Sequence, residues 1–365
     1  MTTGTRVSST ISKPLRDAVV FLVLLATKTV ALHAQSAIIT LPDVSQHARS
    51  TQRIGLTDIT IDYHRPAVAG RKIFGALQPY GEVWRAGANY NTTVELTDSV
   101  RVENRPLGRG IYGLHMIPGP SSWIVIFSRN ATSWGSFTYD STEDALRVSV
   151  RPLTIPAQEV LTYDFDNPRG NSVVLTMRWE RVAIPIHIDV DVPHLVAANL
   201  RNQLRGRVQT EWQAWEEAAN YLLENGLGAD EALRYANQSI QIEDRFENEI
   251  TKSRALAALE RTAEAKTVQA KALSLGTQAQ VYTFARTLQR LGQQDAAMEI
   301  FRSDVQRDPN SVYGHLEATR LAVAAHDFDK AIKECIAARA VAPQGLASSI
   351  DGLVAALEQG VDINR

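Results

Sequence analysis

The sequence predicts an α+β protein of two domains, an antiparallel β-sandwich or barrel-like domain followed by an all-α helical repeat. Three observations support this fold class. Residues from about Thr57 to Val190 alternate apolar and polar side chains in short runs, which is typical of strands with one buried face. After Pro193, alanines and leucines recur at spacings of three and four, as in amphipathic helices. Segments of this second part also repeat at a regular interval.

The bulk properties of the chain are those of a globular protein. Its 365 residues are enough for two domains with separate cores, and 44% of them are hydrophobic while 21% are charged. The formal net charge is -2, and no run of basic residues forms a stripe. A nucleic-acid partner is therefore not expected.

The first 35 residues have the pattern of a secretory signal peptide. Three basic residues precede the apolar core: Arg6, Lys13 and Arg16. The core at 18–27 (AVVFLVLLAT) has ten residues, and small residues near Ala34 or Gln35 suit cleavage. Such a core is too short to span about 30 Å of hydrocarbon as a helix. We expect cleavage, no remaining membrane span and an exported protein, periplasmic or secreted; a retained anchor is the alternative.

These patterns predict three segments: a signal peptide at 1–35, an antiparallel β domain at 36–192 and a helical repeat at 193–365. The only cysteine is Cys335, so there is no intrachain disulfide and each domain depends on its core. Because Cys335 lies in the alanine-rich run AIKECIAARA, it is predicted to be a small core residue, with a redox role as the alternative.

The β domain contains eight or nine predicted strands. They include DITIDY, VELT, SVRV, IYGLHMI, SWIVIFS, ALRVSV, EVLTYDF, SVVLTMRWE and IPIHIDV. Turn-rich runs such as ENRPLGRG and DFDNPRGN separate them. No helix of crossover length lies between these strands, so a parallel sheet is disfavoured and an antiparallel sandwich is expected.

The helical half carries four equivalent segments, EALRYANQSI, EAKTVQAKAL, AAMEIFRSDV and KAIKECIAAR. Their aligned alanines are separated by 33, 32 and 34 residues: Ala232, Ala265, Ala297 and Ala331. Two of the units have a proline twelve residues after the alanine, Pro309 and Pro343. The pattern resembles the tetratricopeptide repeat, whose period is 34. The resemblance implies a concave surface that binds a peptide or another envelope protein; a helical cap that only supports the β domain is the alternative.

A run of some 28 residues between His64 and Thr93 has no clear strand. Segments of this length are functional or disordered, and this one is too apolar for disorder, so we expect it to pack over one end of the sandwich. It places Trp84 beside Arg85, a stacking face next to a forked donor. The alternative is structural: Trp84 plugs the sandwich, Arg85 pairs with an acid and Asn89 bonds the turn backbone.

A second cluster is expected near the same end of the sandwich. GIYGLHMIPGP carries His115 on a strand, and SWGSFTYD carries Trp134. A metal site of His64, Glu82 and His115 is conceivable, but the spacing does not support it and a strand histidine is more often structural. Neither a GxSxG elbow nor a phosphate-binding GxxxxGK[ST] loop is present, so no cofactor is predicted.

The β half is similar to a bacterial exported family, domain of unknown function 2911. The segments that carry the resemblance are IGLTDITIDYHRP, GRKIFGALQPYGEVWRAGAN, GIYGLHMIPG, WGSFTYD, ALRVSV and VVLTMRWE, in this order over roughly Gln46 to Val190. It implies a β domain behind a signal peptide, and it marks YGEVWRAGAN, GLHMIPG and WGSFTYD as signature segments. No activity and no catalytic residues are implied.

Three hypotheses follow. The first is a non-catalytic exported protein that binds a small polar or carbohydrate-like ligand and, through its repeats, another protein. Its candidate ligand-binding residues are Arg65, Glu82, Trp84, Arg85, Asn89, His115 and Trp134. The second is a cell-envelope hydrolase with Glu82 or His115 as acid/base and Arg85 as charge stabiliser. The third is a purely structural sandwich, which predicts that Trp84 is buried and Arg85 is paired.

Overall fold

The computed structural model describes Met1 and residues 42–364, and it confirms the α+β fold in two parts. The predicted signal peptide lies outside the described residues. The part of the chain that is described contains ten strands and ten α-helices. Two strands are found that the sequence did not predict. Gln46–Ile54 has the sequence QHARSTQRI, which is polar on both faces and gives no alternation, and Arg105–Leu107 lies within the turn-rich run ENRPLGRG. SVVLTMRWE and IPIHIDV, which were predicted as two strands, form one continuous strand, Ser172–Asp189.

All strands pair antiparallel in two sheets. The strands are β1 Gln46–Ile54, β2 Thr57–Arg65, β3 Thr93–Leu96, β4 Val100–Val102, β5 Arg105–Leu107, β6 Gly110–Ile117, β7 Trp123–Ser128, β8 Asp144–Val150, β9 Leu153–Asp166 and β10 Ser172–Asp189. One sheet has the order β1-β2-β3-β6-β7-β8, and the other has the order β5-β4-β10-β9. Side chains from both sheets form a single hydrophobic core, so the domain is a sandwich.

Residues 66–92, here called the long segment, contribute to this core. Ile73, Phe74 and Trp84 are buried in it. The carboxylate of Glu180 on β10 accepts the backbone N–H groups of Ile73 and Phe74 at 3.3 and 3.4 Å. The long segment is therefore fastened to the second sheet as well as packed on it.

The helical half consists of paired antiparallel helices. The helices are α1 Val192–Gln203, α2 Trp212–Glu224, α3 Ala229–Ile242, α4 Phe246–Ala258, α5 Thr262–Leu275, α6 Gln278–Arg290, α7 Gln294–Asp304, α8 Val312–Ala324, α9 Phe328–Val341 and α10 Gln344–Glu358. The four aligned alanines lie in the second helix of each pair, α3, α5, α7 and α9, and all are buried. In each case the alanine N–H donates to the carbonyl of the N-cap residue four positions earlier. A small side chain there lets the paired helices approach closely.

Every first helix ends in the same turn. A residue with positive φ follows it, and the next N–H donates to the carbonyl five residues back, which is the Schellman arrangement. The five turn residues are Gly226, Glu260, Gly292, His326 and Gly360. The recurrence after α10 makes that helix a fifth first helix. Among the described residues, no helix combines the length and apolar character needed to cross a bilayer.

The two halves meet directly after β10. The side chain of Val192, at the start of α1, packs against the β core. It lies on Gly55 so closely that a methyl group there would be 2.7 Å from both Val192 methyl carbons. Cys335 is fully buried in α9, in the core position that its sequence context predicts.

Candidate functional site

A two-residue backbone bridge sets the directions of the side chains at the end of the long segment. Trp84 and Met116 exchange both backbone hydrogen bonds, each 2.8 Å long. Trp84 and Met116 point into the core, where both are buried. Because alternate residues of paired strands face opposite sides, their neighbours Arg85 and His115 face outward together.

The outward side of the sheet carries a row in strict register across three strands. His115 on β6 lies opposite Ile126 on β7, and Ile126 lies opposite Arg147 on β8. Ile126 is fully buried although it is not part of the sandwich core. The β7–β8 connection, residues 129–143, is the covering loop over this row. We call the cluster beneath and within it the outer-face site: Arg85, His115, Trp134, Ser136, Tyr139, Asp144 and Arg147.

Arg85 is half-buried without a counter-charge. Its guanidinium lies 5.6 Å from the ring centre of Trp134, which is a cation–π contact. Its Nε is buried and has no hydrogen-bond partner among the residues that the structure describes. Burial alone lowers the pKa of Arg85, with no carboxylate acting on it. The structural expectation that Arg85 pairs with an acid is therefore wrong, and the cation is left available.

His115 lies under the covering loop and is 3% exposed. Its Nδ1 is 2.9 Å from Ser136 Oγ, and its ring centre is 5.3 Å from that of Tyr139. Burial lowers the pKa of His115 to about 4, and the negative charge of Asp144 only partly opposes this. At neutral pH the ring is therefore uncharged and forms a neutral hydrogen bond with Ser136.

Three side chains fasten the far end of the covering loop. The Tyr139 hydroxyl donates to Asp144 Oδ2 at 2.7 Å, and Arg147 donates to both the Asp144 carboxylate and the Tyr139 oxygen. Burial, followed by the hydrogen bond to Asp144, raises the pKa of Tyr139. This triad satisfies the charge of Arg147, so Arg85 remains the unpaired cation of the site.

The tip of the covering loop exposes two aromatic side chains. Trp134 is 60% exposed and Phe137 is 80% exposed, and their rings stack at 5.8 Å with planes 19° apart. The loop is anchored beneath them by Asn91. When the amide of Asn91 is assigned in its flipped orientation, with oxygen and nitrogen exchanged, the nitrogen donates to Gly135 O at 2.9 Å and to Ser133 O at 3.3 Å. An anchored loop with solvent-facing rings beside a cation is suited to stacking on a ligand.

The structure separates the remaining candidates from this site. Trp84 is 5% exposed, stacks on Trp179 at 5.7 Å and donates its indole N–H to Gly87 O. Its face is therefore taken by the core, and we leave it out of the site. Arg65 Nε donates to Leu161 O at 3.1 Å, and Asn89 Nδ2 donates to Ser45 O at 3.3 Å, both near the start of β1. Glu82 is exposed on the long segment.

Sequence reasoning missed Ser136, Asp144 and Arg147. Ser136 and Arg147 lie in segments already singled out, WGSFTYD and ALRVSV. Ser136 reaches His115 through the path of the covering loop, and strand register places Arg147 in the same row as His115. Within residues 42–364, no group of three or more His, Cys, Asp or Glu side chains is placed to hold a metal ion. The chemistry on offer is one free guanidinium, one neutral imidazole with a hydroxyl, and an aromatic face.

Comparison with known proteins identifies the β half. The family described as "Protein of unknown function (DUF2911)" matches residues 45–188, which confirms the resemblance drawn from the signature segments. All three of those segments, YGEVWRAGAN, GLHMIPG and WGSFTYD, contribute to the outer-face site. No curated protein matches the chain.

Among the solved structures similar to part of this chain is a helical repeat protein. It is described as "Crystal structure of YrrB: a TPR protein with an unusual peptide-binding site". The similarity covers 44% of this chain and 84% of that chain, with 16% sequence identity and a TM-score of 0.26. The tetratricopeptide-like character of the present helices is carried by their own pairing, buried alanines and repeated turns.

Proposed function

We propose that this chain is an exported, non-catalytic binding protein. Its β domain holds a small anionic ligand at Arg85, and its helical repeat binds another protein. Export follows from the signal-peptide pattern of residues 1–35. The DUF2911 domain supplies the ligand site, and the repeat supplies an extended helical surface of the kind that engages partners.

The observation that carries the ligand site is the unsatisfied Arg85. A partly desolvated charge is costly unless an opposite charge or hydrogen-bond acceptors reach it. Among the described residues, none accepts a hydrogen bond from its buried Nε. A carboxylate or sulfate on a ligand would accept bonds from two guanidinium N–H groups at once, which is the geometry that arginine favours.

The ring of Trp134 defines the other half of the ligand. Its exposed indole lies beside Arg85 and stacks on Phe137, so it offers a rigid apolar face. Sugar rings and flat organic acids present the matching surface. An acidic sugar therefore fits both the cation of Arg85 and the ring of Trp134. It also belongs to the class of small polar or carbohydrate-like ligands that the sequence led us to expect.

A second candidate is acyl-transfer hydrolysis, favoured by the 2.9 Å contact between Ser136 Oγ and His115 Nδ1. Ser136 would be the nucleophile, His115 the base and Arg85 the stabiliser of the developing negative charge. The basicity of His115 argues against it, since a group with a pKa of about 4 is a weak base at neutral pH. The first function is therefore preferred.

The ligand site is tested by thermal unfolding of the purified chain with glucuronate, benzoate, sulfate or glucose. A ligand that binds only the folded state adds about 2.7 kcal/mol of stability at a hundredfold excess over its dissociation constant. We expect glucuronate to raise the melting temperature and glucose, which lacks the anion, to have no effect. A wild-type chain that responds to none of the anions would rule out the proposed site.

Three variants assign the effect to residues. Arg85→Gln should abolish the glucuronate shift, and Arg85→Lys should weaken it because the forked donor is lost. Arg109→Gln is the control: it also removes one positive charge, at an exposed position between β5 and β6, and should leave the glucuronate shift intact. Ser136→Ala should retain binding; loss of an ester-hydrolysing activity in this variant would instead favour the hydrolase.

A further inference from the structure

Three arginines occupy the same position in consecutive repeats. Arg254, Arg286 and Arg320 each lie eleven residues before an aligned alanine, on the first helices α4, α6 and α8. We call them the arginine ladder. Two of them reach the preceding first helix: Arg254 donates to Asn220 Oδ1 at 2.6 Å, and Arg320 donates to the Tyr282 hydroxyl at 3.2 Å.

Positive charge accumulates towards the α6–α8 end of the ladder. Burial lowers the pKa of Arg286, and the neighbouring charges of Arg320 and Arg290 lower it further. Arg320 itself is 3% exposed. At the opposite end, α2 carries Glu216, Glu217 and Glu224. The ladder therefore has a basic end at α6 and α8, and the opposite end adjoins the acidic residues of α2, which gives it a direction.

A cavity lined by both apolar and polar residues, Glu224 among the latter, adjoins the ladder at Arg254. It has a volume of ≈ 660 Å³ and lies between α4 and α6, where Ile250, Arg254, Phe284 and Leu288 are among the residues that line it. A row of arginines with a space for an apolar side chain beside Arg254 suits an extended peptide that carries both acidic and apolar residues.

The chain places one of its own segments on the basic end. Residues 361–364 (VDIN) follow α10, and Ile363 O accepts a hydrogen bond from Arg320. The Asn364 side chain donates to Arg320 O at 2.9 Å and accepts from Gln289 Nε2 at 3.1 Å. The surface thus already binds a short non-helical piece of chain that ends in a turn, through its main-chain carbonyl and a polar side chain.

We propose that the arginine ladder is the docking site for an extended acidic peptide with interspersed apolar residues, and that residues 361–364 cover its basic end until that peptide displaces them. This inference rests on the proposed partner binding of the helical repeat and names the chemical class of the partner. Charge complementarity selects the acidic residues, and the cavity between α4 and α6 accepts an apolar one.

The test measures fluorescence anisotropy of fluorescein-labelled (Asp-Ile-Asn)₃ with the full chain. This peptide repeats the sequence of residues 362–364, and (Lys-Ile-Asn)₃ and (Asn-Ile-Asn)₃ are its charge controls. We expect only the acidic peptide to bind. Arg286→Gln should weaken it about tenfold, as the loss of a charge-assisted hydrogen bond does. Arg302→Gln, an equal charge change at an exposed site on the second helix α7, should leave binding unchanged.

Asn364→Ala removes both hydrogen bonds of the Asn364 side chain and leaves the three ladder arginines unchanged. It should tighten binding of the acidic peptide, because less of the surface is occupied in the free chain. An unchanged affinity would overturn the displacement. Stronger binding of the lysine or neutral peptide would overturn the acidic class while leaving partner binding standing. Binding of none of the three peptides would count against both proposals for the repeat.

Discussion

The β half and the helical half bury their residues in different ways. The sandwich has one continuous core, in which Phe74 meets Trp84, Trp123 and Trp179 edge-on and Trp84 stacks on Trp179, with ring centres less than 6 Å apart in each pair. The helical half is divided into three smaller clusters, and alanines make up much of them. Large side chains that interlock across both sheets make the sandwich one cooperative unit. Small side chains at the close contacts between helices make repeats, each of which is stabilised chiefly by the repeats next to it.

The difference extends to the two proposed sites. In the sandwich, one sheet face and one covering loop bring a guanidinium, an imidazole and aromatic rings together at one place, which suits a small ligand. In the repeats, one residue position recurs along successive helices, which suits an extended partner. A site of the first kind depends on strand register, while one of the second kind depends on the period of the sequence.

The largest expected effect is that of Trp84→Ala. Removing this buried indole leaves a cavity beside Trp179 and should cost about 3–5 kcal/mol, confined to the β half. Trp134→Ala removes an exposed indole of the same size and should change stability by less than about 0.5 kcal/mol. Denaturant unfolding followed by near-ultraviolet and helical circular dichroism separates the halves. Similar losses in both variants would contradict the assignment of Trp84 to the core.

The next effect concerns a buried carboxyl in the helical half. Glu317 on α8 is fully buried, and burial together with the negative charge of Asp304 raises its pKa from 4.5 to about 9. The folded chain therefore holds a proton that the unfolded chain releases above pH 4.5. The stabilising effect of that proton is complete below pH 4.5 and is lost as the pH rises towards 9.

Glu317→Gln removes this titration without removing the side chain. We expect the variant to be more stable than the wild type by roughly 1–3 kcal/mol at pH 8, with a difference that shrinks towards pH 5. Urea unfolding at pH 5, 7 and 8 measures it. A gain in stability confined to the helical signal would sharpen the contrast with the sandwich, and a difference that does not vary with pH would refute the assignment.

The smallest effect tests the repeated turns. Glu260 has a φ of 62°, in the left-handed region where a side chain costs about 1–2 kcal/mol, while three of the five equivalent turns have glycine. Glu260→Gly should stabilise the helical half by up to about 1 kcal/mol, since the added freedom of the unfolded chain offsets part of the gain. Gly292→Ala at the equivalent turn should do the opposite; equal effects of one sign would show that the turns are not equivalent.

Much of the fold was predictable because it depends on periodicity. Ile59, Ile61 and Tyr63 in the alternating strand and the alanines Ala232 and Ala331 are buried, as the patterns predict. Thr60 and His64, on the polar side of the same alternation, are buried as well. Strand β1 was missed because an edge strand with two polar faces leaves no pattern. The long segment was expected to pack on the sandwich, and the burial of Ile73 and Phe74 agrees with its apolar composition.

The candidate site was less predictable, because it depends on which residues face the same side. Trp84 and Arg85 are adjacent in sequence and were grouped for that reason, yet successive residues of a bridged strand point in opposite directions. Asp144 and Ser136 could not be chosen among many polar residues, because the pairing of β7 with β8 places Asp144 and the path of the loop between them places Ser136 at His115. The hydrophobic pattern of a sequence indicates which residues are buried, but which side chains meet at one site depends on how the strands pair.

The backbone bridge at Trp84 has a consequence for how this domain tolerates changes in length. The chain between Trp84 and Thr93 is hydrogen-bonded to β6 at both ends. Trp84 pairs with Met116 at one end, and Thr92 O accepts from Leu114 N–H at the other. A residue inserted just before Trp84 and not taken up by a turn would exchange the buried indole with the guanidinium. The stretches at 69–72 and 75–82 are largely exposed to solvent, so an inserted residue there can bulge outward without entering the core. Evolutionary gains and losses of residues should therefore accumulate in those stretches and be rare from Trp84 to Thr93.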